Sequence, residues 1–325
     1  MKIVFGGHPL LFSKHGGLQE QIKSLKTNME YLGHECYLLH ETFGSKLTFD
    51  IYHHFGLSLQ SVDNFSYGKS ISKKVVLSPI FNARISTITK LLLHFIDVLN
   101  IKLKLIQSKR TLFTQSDGVN FLSEYEKVLC NIFGVYKSYI ILGNGSDKKI
   151  TTNKNKSGYI LQISSVYPHK RVHISMSIAK QMNVPLKVVG QIQDLSYYEK
   201  LKRHDWYHMT EFLGFINNKS EIFDALVSSA NLVILPSISE VFPISNIESI
   251  ILGTNVLCTY ETSARSEQEK LGVKFVDFNN LDNAVRSAEQ LFTHRLSDEF
   301  QLIAEKNCSW VRISNDLLVF YKGLL

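Results

Sequence analysis

Cysteine is sparse in this chain. The 325 residues contain four, Cys36, Cys130, Cys258 and Cys308, with no C-x-x-C pair among them. That spacing argues against a disulfide framework or a zinc site and suits a reducing cytoplasm. Long apolar runs are lacking too. A membrane span needs roughly 18 uncharged apolar residues, and the best stretch, Leu91 to Ile106, is broken by His94, Asp97, Lys102 and Lys104. The opening Met1-Lys2-Ile3-Val4-Phe5-Gly6-Gly7 has too short an apolar run for a signal peptide. There is no Asp-x-Asp cluster to chelate a metal-bound diphosphate, so chemistry without a metal or other cofactor is expected. Repeats and low-complexity tracts are lacking as well. With 44% hydrophobic and 20% charged residues, wholesale disorder is excluded. The expectation is a soluble cytoplasmic protein, with peripheral attachment to the inner face of the cytoplasmic membrane left open.

Acid is missing from one region. Between Lys69 and Arg110 stand Lys69, Lys73, Lys74, Arg84, Lys90, Lys102, Lys104, Lys109 and Arg110, with Asp97 the only acid, in a chain of net charge +7. Leu91, Leu92, Phe95, Val98, Leu99, Lys102 and Leu105 fall near helical spacing. A basic helix with an apolar stripe can lie on an anionic membrane surface. The same pattern fits a domain helix whose stripe faces the core. No nucleic-acid recognition module accompanies the charge, so nucleic acid is not an expected partner.

Short β-branched apolar runs alternate with helical stretches throughout, as in parallel sheets covered by helices. In the first half, strands are predicted at 2–5, 35–39, 51–53, 74–77, 118–122 and 138–141. A helix over 17–32 should stop at Gly33. The polar stretch 148–158 (KKITTNKNKSG) reads as a linker. Strands at 159–163, 186–189, 208–212, 231–235, 255–258 and 274–276 follow, with helices at 173–182, 219–229 and 247–252. A final amphipathic helix runs from Trp310. The expected division is residues 1–147, linker 148–158, a second domain 159–306, and a last segment 307–325. Two doubly wound domains facing a central cleft are implied.

Four constellations carry chemical potential. Leu235 to Glu248 (LPSISEVFPISNIE) takes a buried strand through a Pro-Ser turn into a helix. It aims the carboxylate of Glu240 and free first-turn amides at one spot beyond a strand end, where open α/β sheets bind ligands. Glu248 lies about one turn inside the helix. The two carboxylates fit an acid–base pair or a pair of acceptors for sugar and ribose diols. Ser164-Ser165, followed by His169-Lys170-Arg171, places hydroxyls and two cations where the second domain's first strand hands over to a helix. Such cations suit a diphosphate leaving group. Gly16-Gly17 opens a helix and allows close backbone approach, or simply serves a tight turn. Tyr52-His53-His54-Phe55-Gly56 offers histidines for a base, a sugar contact or a structural role.

In this order the motifs resemble the family 4 glycosyltransferases of the GT-B fold. The resemblance rests on Gly16-Gly17, Gly33-His34-Glu35, Ser123-Glu124-Tyr125, Asn144-Gly145-Ser146-Asp147, Lys170, Phe212-Leu213-Gly214, the E-x7-E pair Glu240 and Glu248, and Trp310. It implies two Rossmann-like domains, the first on the acceptor side and the second binding the donor, with a C-terminal helix crossing back to the first. It implies retaining, metal-independent transfer from a nucleotide-diphosphate sugar to a glycan, one borne on a lipid carrier for surface polysaccharide. By that resemblance Glu240 orients the donor sugar and Glu248 holds the ribose. Lys170 contacts the diphosphate, with Arg171, Ser165 and the amides of Ile244, Ser245 and Asn246 assisting, and His54 takes the sugar-facing role. The chain departs from the family where Ser164-Ser165 replace Gly-Arg, where Arg171 replaces glycine, and where Val241 and Pro243 replace the glycines of E-G-F-G. The lost arginine, and the lack of a histidine in Val75-Val76-Leu77-Ser78-Pro79-Ile80 where many members place one, motivate a second expectation, a catalytically silent partner subunit that keeps the fold. A nucleotide-sugar epimerase of the same architecture is a third.

Overall fold

A computed structural model describes residues 1–12, 16–81, 104–151 and 155–325. They form two compact units, Met1–Gly145 together with Trp310–Leu325, and Ser146–Ser309. The first unit is built on six parallel strands: β1 (Lys2–Gly7), β2 (Glu35–Leu38), β3 (Phe49–Phe55), β4 (Ser72–Ser78), β5 (Gly118–Phe121) and β6 (Tyr139–Ile141), in the order β2-β1-β3-β4-β5-β6. Its described helices are α1 (Gly17–Tyr31), α2 (Val62–Ser70), α3 (Lys104–Thr114), α4 (Glu124–Cys130) and, from the end of the chain, α12 (Trp310–Leu324). A parallel sheet buries both faces, so its strands read as continuous apolar runs rather than as alternation. Val4, Phe49, Phe65, Val75, Phe113 and Phe121 form the centre of one buried layer. As predicted, α1 stops at Gly33: φ there is 83°, and the amides of Gly33 and His34 close on the carbonyls of Glu30 and Met29. Helix α12 packs on α1, and its Tyr321 hydroxyl meets His53 Nδ1 of β3 at 2.5 Å.

The second unit repeats the plan. Strands β7 (Ile160–Ile163), β8 (Leu186–Val189), β9 (Thr210–Gly214), β10 (Leu232–Leu235), β11 (Asn255–Thr259) and β12 (Lys274–Val276) lie parallel in the order β12-β11-β10-β7-β8-β9. The order reverses between β7 and β10, which is the dinucleotide-binding arrangement with its switch point there. The helices are α5 (Val172–Met182), α6 (Leu195–Leu201), α7 (Glu221–Ser229), α8 (Ile244–Ile251), α9 (Arg265–Glu269), α10 (Leu281–Thr293) and α11 (Asp298–Asn307). Side-chain caps set several of their starts, among them Asp194, Ser220, Asn280 and Ser297.

Some boundaries differ from the sequence reading. The chain enters the second unit at Ser146 and leaves it after Ser309, and the Ser146 amide donates to the Cys308 carbonyl at 2.6 Å. The polar stretch read as a linker belongs to the second unit where it is described. Lys148 pairs with Asp224, and Lys156 Nζ donates to the Ser228 and Gly253 carbonyls and to Thr254 Oγ1 at 2.8–2.9 Å. Lysines that appear solvated in sequence here satisfy carbonyls at helix and strand ends. Of the expected basic stripe, residues 91–103 lie outside the described residues.

Candidate active site

The carboxyl ends of β7 and β10 carry most of the residues expected to bind a donor. Strand β7 runs into Ser164 and the partly exposed Ser165, and the Ser164 amide donates to the Val189 carbonyl at 2.9 Å. Gly190 sits against this corner with φ 154°, and a Cβ there would lie 2.1 Å from the Ser164 carbonyl oxygen, so no side chain fits. A turn over Pro168–Lys170 follows, then Arg171 in the left-handed region (φ 46°, ψ 47°), then α5. Beneath it lies Gln162, the polar residue of β7, fully buried. Its Nε2 donates to the Lys170 carbonyl at 3.0 Å and to Ser164 Oγ at 2.9 Å, while its Oε1 accepts from Ser175 Oγ at 2.6 Å. A buried amide needs such partners. The sequence reading passed over Gln162, although one glutamine inside an apolar strand is a legible signal.

Beyond β10, the Glu240 amide donates to the Glu261 carbonyl at 2.9 Å, and the Glu240 carbonyl accepts from Ser263 N at 3.0 Å. Pinned in this way, its carboxylate meets Lys170 Nζ at 2.5 Å, the two side chains being 13% and 19% exposed. Burial opposes charge on Lys170, but attraction to Glu240 and the hydrogen bond it donates to that carboxylate outweigh it and raise the lysine pKa. Lys170 is therefore a fixed cation at neutral pH. Helix α8 opens at Pro243 with no capping side chain. The amides of Ile244, Ser245 and Asn246 occupy its first turn, where no intrahelical acceptor exists and the helix dipole is positive. Glu248, one turn further on, is 5% exposed, and its Oε1 accepts from Asn218 Nδ2 at 3.0 Å. Asn218 lies beyond β9 and was not foreseen as part of the site.

Four expected residues, Arg171, His54, Gly16 and Gly17, do not take the places expected of them. Arg171 does not hold its guanidinium free for a phosphate: Nε donates to the Pro236 carbonyl at 2.5 Å, Nη2 to the Ser237 carbonyl at 3.1 Å and Nη1 to Asn279 Oδ1 at 3.0 Å. His54 is fully buried in β3, with Nδ1 2.6 Å from the Tyr52 hydroxyl and Nε2 3.1 Å from Ser61 Oγ. Burial pushes its pKa down to about 3, so the catalytic role expected of it is corrected to a neutral core residue. His53, its neighbour, is equally buried. Gly16 and Gly17 belong to the first unit. Gly16 is extended (φ −177°) and Gly17 has open space around its Cβ position, so neither is required by a left-handed turn. Among the described residues no group of three or more His, Cys, Asp or Glu is placed to hold a metal ion, and no helix is long and apolar enough to cross a membrane.

Residues 144–307, half of the chain, match the family of glycosyl transferases group 1. The chain belongs to that family. This glycosyltransferase has the GT-B fold, with two parallel six-stranded sheets flanked by helices. It is similar in structure to sucrose-phosphate synthase from Thermosynechococcus elongatus, with a TM-score of 0.80 and 12% identity over 99% of this chain and 98% of that one. It is also similar to AviGT4, a glycosyltransferase involved in avilamycin A biosynthesis, with a TM-score of 0.68 and 15% identity over 99% and 97% of the two chains. The lipopolysaccharide outer core galactosyltransferase WaaB in its apo form gives a TM-score of 0.67 and 13% identity over 98% and 99%. At such identities the likeness concerns the fold. No curated protein matches this glycosyltransferase in sequence.

Proposed function

We propose that this glycosyltransferase is of the family 4, retaining, metal-independent type, and takes its sugar from a nucleotide-diphosphate donor at the carboxyl edge of the second unit's sheet. The observation that carries the reading is the uncapped start of α8 four residues beyond Glu240, whose carboxylate holds the part-buried Lys170 ammonium. The diphosphate lies on the amides of Ile244, Ser245 and Asn246, with Ser165 near the end of β7. Lys170 meets the bridging oxygen. Glu240 orients the sugar hydroxyls, and Glu248, held by Asn218, accepts from the ribose diol. As the bond from the anomeric carbon to the phosphate oxygen breaks, negative charge grows on the leaving diphosphate. Fixed cations and amides then stabilise the transition state more than the ground state. The acceptor oxygen bonds to the same face of the anomeric carbon, and its proton passes to the departing phosphate oxygen. A protein base such as His54 is not needed.

A panel of nucleotide sugars, assayed for released nucleotide diphosphate, tests this. Wild type should turn over one donor, with Glu240→Ala at least about a hundredfold slower. Neither turnover nor binding of any donor would defeat the reading in favour of a catalytically silent subunit. The observation favouring that second reading is the loss of free cations, since Ser164-Ser165 replace the family's Gly-Arg and Arg171 binds carbonyls.

The acceptor we propose is a growing surface glycan on a lipid carrier, with the basic region meeting an anionic membrane. Lys109 serves another purpose, lying 5.0 and 5.2 Å from the Phe81 and Phe133 ring centres. Wild type should sediment with anionic liposomes and a Lys73→Ser, Lys74→Ser, Arg110→Ser variant should not. Equal pelleting of both proteins speaks against the membrane.

A further inference from the structure

The turn after β7 and the loop after β10 are stapled together along their length. The Ile238 amide donates to the His169 carbonyl at 2.8 Å, and His169 Nε2 lies 3.0 Å from the Ser239 carbonyl. Lys170 meets Glu240, and Arg171 donates to the carbonyls of Pro236 and Ser237. Through Nη1 the same guanidinium reaches Asn279, in the segment after β12, where the Asn279 amide is itself held by Asp277 Oδ1 at 2.9 Å. One side chain thus joins the loops beyond three strands, β7, β10 and β12, all at the edge that carries the donor site.

The backbone at Arg171 makes this arrangement costly. At φ 46° and ψ 47° a Cβ is strained and glycine is the residue that sits comfortably. A larger residue persists in such a conformation only where its surroundings over-determine it. A planar fork reaching three acceptors in different directions supplies that, and a lysine ammonium of similar charge does not.

We propose that Arg171 is the positioning residue of the donor site: it holds the 236–240 loop so that Glu240 and Lys170 stay aligned beneath the sugar and diphosphate. The role rests on the donor-site reading above. Arg171 acts through those two residues and does not touch the donor, so its loss displaces them without removing either.

Arg171→Gly relieves the backbone strain while deleting the fork, and Arg171→Lys keeps the charge without the fork. Hydrogen exchange on the full chain without donor should show the Ile238 amide at least about tenfold less protected in both variants, with β7 and β10 unchanged. With the nucleotide sugar selected by the donor panel, kcat should fall about tenfold or more in both, and KM should stay within about threefold of wild type. Unchanged protection of Ile238 in Arg171→Gly overturns the proposal. So does a raised KM at constant kcat that Arg171→Lys restores, the signature of a direct diphosphate contact. If wild type turns over no donor, the donor-site reading fails, and the exchange measurement still decides whether Arg171 holds the loop.

Discussion

Lys170→Met should lower kcat/KM for the nucleotide sugar by about 10²–10³, the loss typical of deleting one preorganised electrostatic group. Methionine keeps the length and apolar stem of lysine, so the change isolates the charge. Its effect on stability is a separate quantity. Glu240 is 13% exposed at its side chain and loses the ammonium 2.5 Å away; the pair is part-buried, so breaking it on one side costs less than the about 3 kcal/mol of a fully buried pair. Glu240→Gln leaves Lys170 unpaired at a similar cost. In the double variant neither charge remains, so its stability should recover most of the sum of the two losses. Activity should show no such recovery, because the diphosphate still lacks its cation. Denaturation and turnover measured on all four proteins separate the two effects. An active double variant would remove Lys170 from the chemistry.

All twelve described strands lie where the apolar runs placed them. Strands covered on both faces announce themselves as unbroken apolar stretches such as Leu232 to Leu235. Helix α10 was passed over although it was legible: Leu281, Ala284, Val285, Ala288, Leu291 and Phe292 recur at helical spacing and pack on the core, behind an Asn280 cap that resembles a turn. Within the site, Glu240 and Glu248 could be read from one continuous stretch because strand, turn and helix follow each other there. The pairing of Lys170 with Glu240 spans 70 residues and depends on β7 and β10 being neighbours across a reversal of strand order, which no local pattern reveals. Arg171 misled for a related reason. A cation beside a strand end suits a phosphate and suits carbonyls of the adjacent loop, and only the fold chooses. His53 and His54 looked like a polar strand end. Strand β3 lies between β1 and β4, so consecutive side chains point into two covered layers and both rings are buried.

That burial makes the first unit acid-sensitive. Burial holds His53 and His54 at pKa about 3, with the proximity of His54 adding to the shift at His53, against about 6.5 in an unfolded chain. Below pH 6.5 the unfolded state therefore binds two protons that the folded state refuses, and stability falls as pH falls. Each histidine contributes a slope of about 1.4 kcal/mol per pH unit. Glu126 opposes them. It is buried, which raises its pKa to about 7 even though the amides of Leu122 and Phe81 donate to its carboxylate. Between about pH 4.5 and 7 the folded state thus holds one proton more there, and these three groups together should give a slope of about 1.4 kcal/mol per unit at pH 5–6, to which His34, its pKa also lowered by burial, adds in the same sense. The chain has one tryptophan in each unit, Trp206 in the second and Trp310 in the first, so Trp206→Phe makes Trp310 fluorescence a report on the first unit alone. In that background His54→Gln should lower stability at pH 7.5, because Tyr52 and Ser61 lose a well-fitted partner. It should also cancel most of the acid slope, because the remaining histidine and Glu126 nearly balance. An unchanged slope in His54→Gln would mean that the ring accepts its proton in the folded state, which would restore His54 as a titrating group of the first unit.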